Sequence, residues 1–128
     1  RPGVSASRDW GDLKHILSRH RFSIHTADPE LEDGFNMALM EAAAAGLAIL
    51  GNRHPTSPVE HGVEGFLFDD PEELGRAARR LLDEPELAAK MGGAARELAR
   101  RRFSLDRFAR QLNEAIDKAR DAWSRVIA

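Results

Sequence analysis

Asp33 and Glu41 stand eight positions apart at either side of the most apolar stretch of this sequence, and any chemistry it performs is best sought there. Residues 35–45 read Phe-Asn-Met-Ala-Leu-Met-Glu-Ala-Ala-Ala-Ala, a helical composition in which Glu41 is the single ionisable group. A carboxylate buried there without a partner costs several kcal/mol, on the order of the desolvation penalties of buried ions. Glu41 therefore reaches solvent along one exposed stripe, pairs with an arginine, or accepts hydrogen bonds from ligand hydroxyls, as acidic residues do with ribose in nucleotide-binding α/β folds. The segment before it favours the ligand. Asp33-Gly34 lies at the mouth of the helix, where free N–H groups and a partial positive charge suit a diphosphate. Gly34 has no Cβ to hold a ligand away from the backbone. Eight helical positions span about 12 Å, roughly the reach of a ribose-diphosphate-sugar.

Other chemistry-bearing residues carry less. His15, His20, His25, His54 and His61 show no metal-ligand spacing on any one element. His25 ends an apolar run and either faces a ligand or is a satisfied structural histidine. Ser57, just before Pro58, reads as a turn or helix cap and Glu60 as a first-turn acid, with phosphate contact as the alternative for each. Arg96, Arg100, Arg101 and Arg102 gather near a helix end, where they complement its dipole; peripheral contact with a membrane surface is the lesser alternative.

The elements that must position these residues follow from the apolar pattern, which switches between short β runs and longer helical ones as an α/β domain does. A short strand is expected over residues 4–6, then a helix opened by Asp9 or Asp12 and running through Leu13, Ile16 and Leu17. Phe22-Ser23-Ile24-His25 reads as a strand and residues 26–33 as a polar loop. The helix over residues 35–45 is closed by Gly46. Leu47-Ala48-Ile49-Leu50 and Gly65-Phe66-Leu67-Phe68 read as buried parallel strands. Asp70-Pro71-Glu72-Glu73 combines an N-cap oxygen, a proline at the first helical position and early acids, and Leu74, Ala77, Ala78, Leu81 and Leu82 mark the face that helix would bury. Pro85 opens the next helix, with Leu87, Met91, Ala94, Ala95 and Leu98 inward. Ser104 caps a last one carrying Leu105, Phe108, Leu112, Ile116, Ala119, Trp123 and Val126 at helical spacing. The expectation is a Rossmann-like parallel sheet of three or four strands followed by C-terminal helices.

With these elements in order, the sequence resembles a family. Asp33-Gly34-Phe35-Asn36, four residues, then Glu41-Ala42-Ala43-Ala44-Ala45-Gly46 is similar to the acid-x7-Glu signature of the retaining "group 1" glycosyltransferases of GT-B fold. These usually write it Glu-Gly-Phe-Gly, four residues, Glu-Ala and a small-residue stretch ending in glycine. The likeness continues through Leu47 to Leu50, Ser57 to Leu67, Asp69 to Leu74 and Arg102-Phe103-Ser104, in the family's order and spacing, covering roughly residues 12–118. The resemblance implies that Glu41 binds the nucleotide ribose. It places Asp33, as the catalytic acid, near the transferred sugar, with Gly34, Phe35, Asn36 and Met37 lending backbone amides to the distal phosphate. Asp33 is one methylene shorter than the usual glutamate, and the loop over residues 26–33 is longer than the usual Pro-Ser-x-x-Glu. The family's phosphate-gripping arginine and lysine, its base-binding strands and its acceptor-binding N-terminal domain would lie upstream of Arg1. Residues 1–128 are thus expected to be a single, partial C-terminal donor-binding domain.

Composition bounds the partners. A net charge of -2 gives no electrostatic reason to expect nucleic acid. No apolar run is long enough to cross a bilayer. The absence of cysteine removes disulfide and thiolate chemistry, with the cytoplasm as the ordinary setting. The expected partners are a nucleotide-sugar donor and an acceptor hydroxyl on a glycan, lipid or small molecule, and no cofactor is called for. Two rivals stand beside transfer with retention: a nucleotide-sugar epimerase of the same fold, and a non-catalytic interaction module that kept the fold and lost the activity.

Overall fold

A computed structural model describes residues 6–31 and 36–127. Glu32, Asp33, Gly34 and Phe35 lie outside the described residues, as does nearly all of the strand expected over residues 4–6. Of that segment only Ala6 is described, and it belongs to no strand.

Helix α1 spans Trp10–Ser18. Asp9 starts it: the backbone there is extended, and Asp9 Oδ1 accepts the Asp12 N–H at 2.8 Å. Strand β1, Phe22–His25, follows, and then α2, Met37–Ala45. Asn36, with ψ at 123°, is its N-cap, so the helix begins later than the expected residue 35. The cause is chemical: Asn36 Oδ1 accepts from the amides of Ala38 and Leu39 at 3.0 and 3.3 Å, a bond only a short polar side chain can make from that position. Gly46 ends α2 in the left-handed region, φ 84°, and Leu47 N–H bonds Ala42 O at 3.0 Å. Such a turn favours glycine.

Strands β2, Ala48–Gly51, and β3, Gly65–Leu67, complete a parallel three-stranded sheet of order β1-β2-β3. The register sets Ile24 beside Leu50 and Leu50 beside Phe66. Helices α3, Pro71–Asp83, α4, Pro85–Phe103, and α5, Leu105–Ile127, follow. Asp70 caps α3 through the Glu72 amide, with Pro71 in the first turn, and Ser104 Oγ accepts the Arg107 N–H at 3.3 Å.

Alternation along β2 divides the core. Ile49 faces one layer with Leu39, Ala42 and Ala43 of α2, Leu67, and Ala95 and Ala99 of α4. Ala48 and Leu50 face the other with Phe66, Ala77 and Leu81, and Ala88 and Met91 of α4. Helix α4 serves both layers, its first half on one face and its second on the other, so it passes from face to face at the amino end of the central strand. Gly92 marks the crossing: a Cβ there would lie 2.0 Å from Gly46 O and 3.4 Å from Ala48 N, which puts α4 against the turn that leads into β2. Small residues on both partners, Ala42 and Ala43 against Ala95 and Ala99, leave the room for this approach.

Two expectations are corrected. Leu82 is 55% exposed, since Leu81 takes the buried position on that turn of α3. The regular stripe of α5 is present but uncovered: no residue of this helix is buried among the described residues.

Candidate functional site

In an open parallel sheet the strands' carboxyl ends carry the loops that bind ligands. Here those ends are His25, Gly51 and Leu67. The start of α2 comes to the same place, since Asn36 and Leu39 border a small cavity of about 20 Å³ with His25, Asn52 and His54. Asn36 and Met37, two of the expected donor-binding residues, therefore stand at the sheet's carboxyl end. The Asn36 cap occupies the amides of Ala38 and Leu39, which leaves the N–H groups of Asn36 and Met37 without a partner among the described residues. Asp33, Gly34 and Phe35 fall outside the described residues.

Glu41 lies one turn beyond Met37 and shares its side of α2, opposite the buried Leu39, Ala42 and Ala43. It lines an open groove of about 780 Å³ between α1, α2 and α4, with Trp10, Lys14, Arg96, Arg100 and Phe103. The volume is in the range of small-molecule sites. Glu41 is partly buried and makes no hydrogen bond or ion pair with the described residues. The arginines of the groove are engaged elsewhere. Arg96 donates to Ala45 O at 2.7 Å, completing the C-terminus of α2, and Arg100 pairs with Glu97 at 2.7 Å. Among the described residues, therefore, no arginine pairs with Glu41. A half-exposed carboxylate on an apolar groove is an acceptor for hydroxyl or N–H donors.

Several of the lesser residues are bonded within the fold. Ser57 belongs to a turn, its Oγ taking the Val59 N–H at 3.3 Å. Glu60 is in a loop rather than a helix's first turn, because this segment is fixed another way: Glu60 N–H donates to Glu64 Oε2 at 2.8 Å. Glu64 is the buried charged residue there, at 4% exposure, and went unnoticed in the sequence because it stands in a loop without periodicity. His61 rests edge-on against Phe66 and Phe68, with Nδ1 3.0 Å from the Leu67 amide. No group of three or more His, Cys, Asp or Glu side chains suited to a metal ion occurs among the described residues, and no helix among them is long and apolar enough to cross a membrane.

The loops at the carboxyl end are tied together by residues that sequence reasoning had not singled out for that role. Asn52 bonds Ala27 through both its N–H and its C=O, His54 bonds the carbonyls of Asp28 and Leu31, and Arg53 bonds Asp69. The Arg53 N–H, with its guanidinium behind, holds the Asp69 carboxyl below its ordinary value.

Comparison with known proteins bears on what this arrangement does. The pattern of the family described as "Glycosyl transferase-like" matches residues 4–114. The chain is similar to the alpha-1,3/1,6-mannosyltransferase ALG2 of Homo sapiens, 35% identical over 118 residues that make up 90% of this chain and 28% of that protein. It is also similar to the D-inositol 3-phosphate glycosyltransferase of Streptomyces griseus, 37% identical over 52% of this chain and 15% of that protein. Among solved structures, Anabaena Alr3699/HepE in complex with UDP-glucose superposes with a TM-score of 0.72 at 22% identity, over 84% of this chain and 30% of that one. The chain thus spans less than a third of the length of these relatives.

Proposed function

Because the chain belongs to the glycosyl transferase-like family, we propose that it forms part of the donor-binding domain of an enzyme that moves a sugar from a nucleotide-activated donor to an acceptor hydroxyl with retention of configuration. Its α/β fold is that of the Anabaena protein whose structure contains UDP-glucose. Glu41 carries the reading: an unpaired carboxylate on an open groove, one turn from the start of the helix at the sheet's carboxyl end. It accepts the ribose hydroxyls. The amides of Gly34, Phe35, Asn36 and Met37 meet the distal phosphate, and Asp33 stands by the transferred sugar.

The chemistry asked of these groups is electrostatic. Breaking the bond from sugar to phosphate leaves charge on the departing diphosphate, and preorganised N–H donors with the positive end of α2 stabilise that charge as it develops. Cationic residues and the acceptor-binding domain would come from the rest of the enzyme, working in the cytoplasm.

The experiment is a pair of substitutions in the full-length enzyme. A charged hydrogen bond is worth about 1.5–3 kcal/mol. Glu41→Ala is therefore expected to lower kcat/KM for the donor by roughly tenfold to more than a hundredfold, whereas Glu32→Ala changes it little. Equal losses at the two positions would show the register to be wrong. A non-catalytic module is the second reading, favoured by Asp33 where the family usually has glutamate. Product formation from a nucleotide sugar and an acceptor by the full-length protein excludes it, and the need for an acceptor excludes an epimerase.

A further inference from the structure

The groove beside Glu41 is walled on its other side by one face of α1. Trp10, Lys14, Leu17 and Ser18 line it, and residues at that spacing lie along a single side of a helix. Leu17 also packs against the core layer of Leu39, Ala42 and Ala43, so this side of α1 is turned toward α2 and held there. Trp10 heads the row, one residue after the Asp9 cap whose Oδ1 takes the Asp12 N–H at 2.8 Å. Its backbone is therefore fixed while its indole stays open: Trp10 is 59% exposed, against 38% for Phe103, the aromatic residue of the α4 wall. Lys14 Nζ stands 6.0 Å from the Trp10 ring centroid, the outer limit of a cation–π contact. Lys14 makes no hydrogen bond or ion pair with the described residues.

One groove thus presents three kinds of group: the Glu41 carboxylate, which accepts hydrogen bonds, the Trp10 ring, which offers a flat apolar face, and the Lys14 ammonium. A nucleotide has the parts that answer them, a ribose diol, a planar base and phosphate. The order along α2 fits as well. Met37, with its N–H at the helix start, and Glu41 are four residues apart, about 6 Å along the axis. With phosphate at the start and ribose at Glu41, the base, joined to the ribose at C1′, has to enter the groove. At about 780 Å³ the groove has room for it beside the ribose. Its α4 wall offers less, since Arg96 is bonded to Ala45 O and Arg100 to Glu97.

We propose that Trp10 is the platform on which the donor's nucleobase stacks, with Lys14 beside it, so that α1 and α2 together hold the nucleoside half of the donor. The proposal rests on the reading of Glu41 as the ribose acceptor. It moves one part of the base site into this chain: strands upstream of Arg1 then meet only the edge of the base, and α1 meets its face. Every base has a π-face, so stacking tolerates any of them. Trp10 therefore contributes affinity for the nucleotide and leaves the choice of base to groups that read its edge.

The test uses the full-length enzyme with Trp10→Ala, Trp10→Leu and Trp10→Phe; leucine keeps apolar bulk without a ring, and phenylalanine keeps the ring. Glu41→Ala is the reference. Calorimetry with UDP, GDP and ADP finds the nucleotide bound most tightly, and inorganic pyrophosphate serves as the probe without a base. Trp10→Ala and Trp10→Leu are expected to weaken that nucleotide by roughly tenfold to a hundredfold, the range of base–aromatic stacking, and to leave pyrophosphate binding unchanged. Trp10→Phe should retain most of the affinity. Nucleotide should quench tryptophan emission in the unsubstituted enzyme, and the part due to Trp10 should vanish in Trp10→Phe. Undiminished nucleotide binding in Trp10→Ala and Trp10→Leu, with Glu41→Ala weakened, would overturn the platform and leave the ribose reading standing. Equal weakening of nucleotide and pyrophosphate would show that Trp10 acts through the fold, and a loss confined to the acceptor's KM would give the ring to the acceptor; either overturns the proposal. Nucleotide binding untouched by Glu41→Ala, or no binding of any of the three nucleotides, would remove the ribose reading and the platform with it.

Discussion

Two adjacent glycines in α4 should respond to the same substitution with opposite sign. Gly92 and Gly93 lie in the interior of a 19-residue helix, where glycine is about 0.8–1 kcal/mol less favourable than alanine. At Gly93 a Cβ meets nothing within 4 Å, so Gly93→Ala is expected to stabilise the chain by nearly that full amount. At Gly92 a Cβ would lie 2.0 Å from Gly46 O and 2.8 Å from Gly46 C, both backbone atoms of the turn into β2. Ordinary contact needs more than 1 Å of separation there, and no side chain can swing aside to give it. Helix α4 would have to lift from α2 and β2, loosening both layers to which it contributes, Ala95 and Ala99 on one face and Ala88 and Met91 on the other. Overpacking of this kind costs about 1–3 kcal/mol, against which the propensity gain recovers about 1. Gly92→Ala should therefore be neutral to destabilising by about 2 kcal/mol, and the neighbours should differ by roughly 1–3 kcal/mol. Urea unfolding followed by circular dichroism measures both, and a kcal/mol corresponds to about 3–5 °C in Tm for a chain of this size. If both substitutions stabilise equally, α4 does not pass the amino end of β2 at Gly92, and the two-layer account of this helix is wrong.

The rest can be checked on the same chain. Leu81, fully buried, should cost about 2–5 kcal/mol as Leu81→Ala, while Leu82→Ala, 55% exposed, should stay within about 0.5 kcal/mol. The Asp69 carboxyl is held below its ordinary value, first by the Arg53 N–H. Its folded-state pKa is depressed, so its contribution is present at neutral pH and is lost as pH falls through and below that lowered value. Asp69→Asn should therefore lower stability slightly at neutral pH and leave it unchanged well below the ordinary carboxylate range (about pH 4), flattening the acid limb of the stability profile. By calorimetry the chain alone should bind common nucleotide sugars no better than about millimolar, near -4 kcal/mol, and micromolar binding would show its site to be complete without cationic residues from elsewhere.

How much of this was legible in the sequence follows the range of the forces concerned. Asp9, Asp70 and Gly46 act within four residues, and the helices they delimit begin and end where their types require. The strands were legible for a related reason: alternation across a sheet covered on both faces makes Ala48 to Leu50 apolar throughout, and three of its residues are buried to within 1%. Asn36 was harder. Its position in a family signature suggested a residue inside the helix start, yet its side chain caps better than it propagates, and the helix begins at Met37, two residues after the expected start. The exposure of Leu82 was not legible because Leu81 and Leu82 both fit the apolar stripe, and the choice between them rests with Ala48 and Leu50 across the layer.

The site divides in the same way. Glu41 could be found because a lone carboxylate in an apolar helix is a local anomaly. Asn52 and His54 could not, since each acts on a loop 23 to 26 residues away and a polar residue in a polar loop violates no pattern. Helix α5 shows the limit from the other side. Leu105, Ile116 and Ile127 recur at intervals of eleven, as do Phe108 with Ala119 and Leu112 with Trp123. Eleven residues in three turns is about 3.67 per turn, close to the α-helix itself, so the stripe runs nearly straight along one side instead of winding as a 3.5-residue repeat does. The pattern announces a face to be covered, and yet every residue of that helix lies outside the core. Periodicity is a property of one helix and burial a property of two surfaces, so the sequence of α5 specifies which side a partner surface must meet and contains nothing about the surface that meets it.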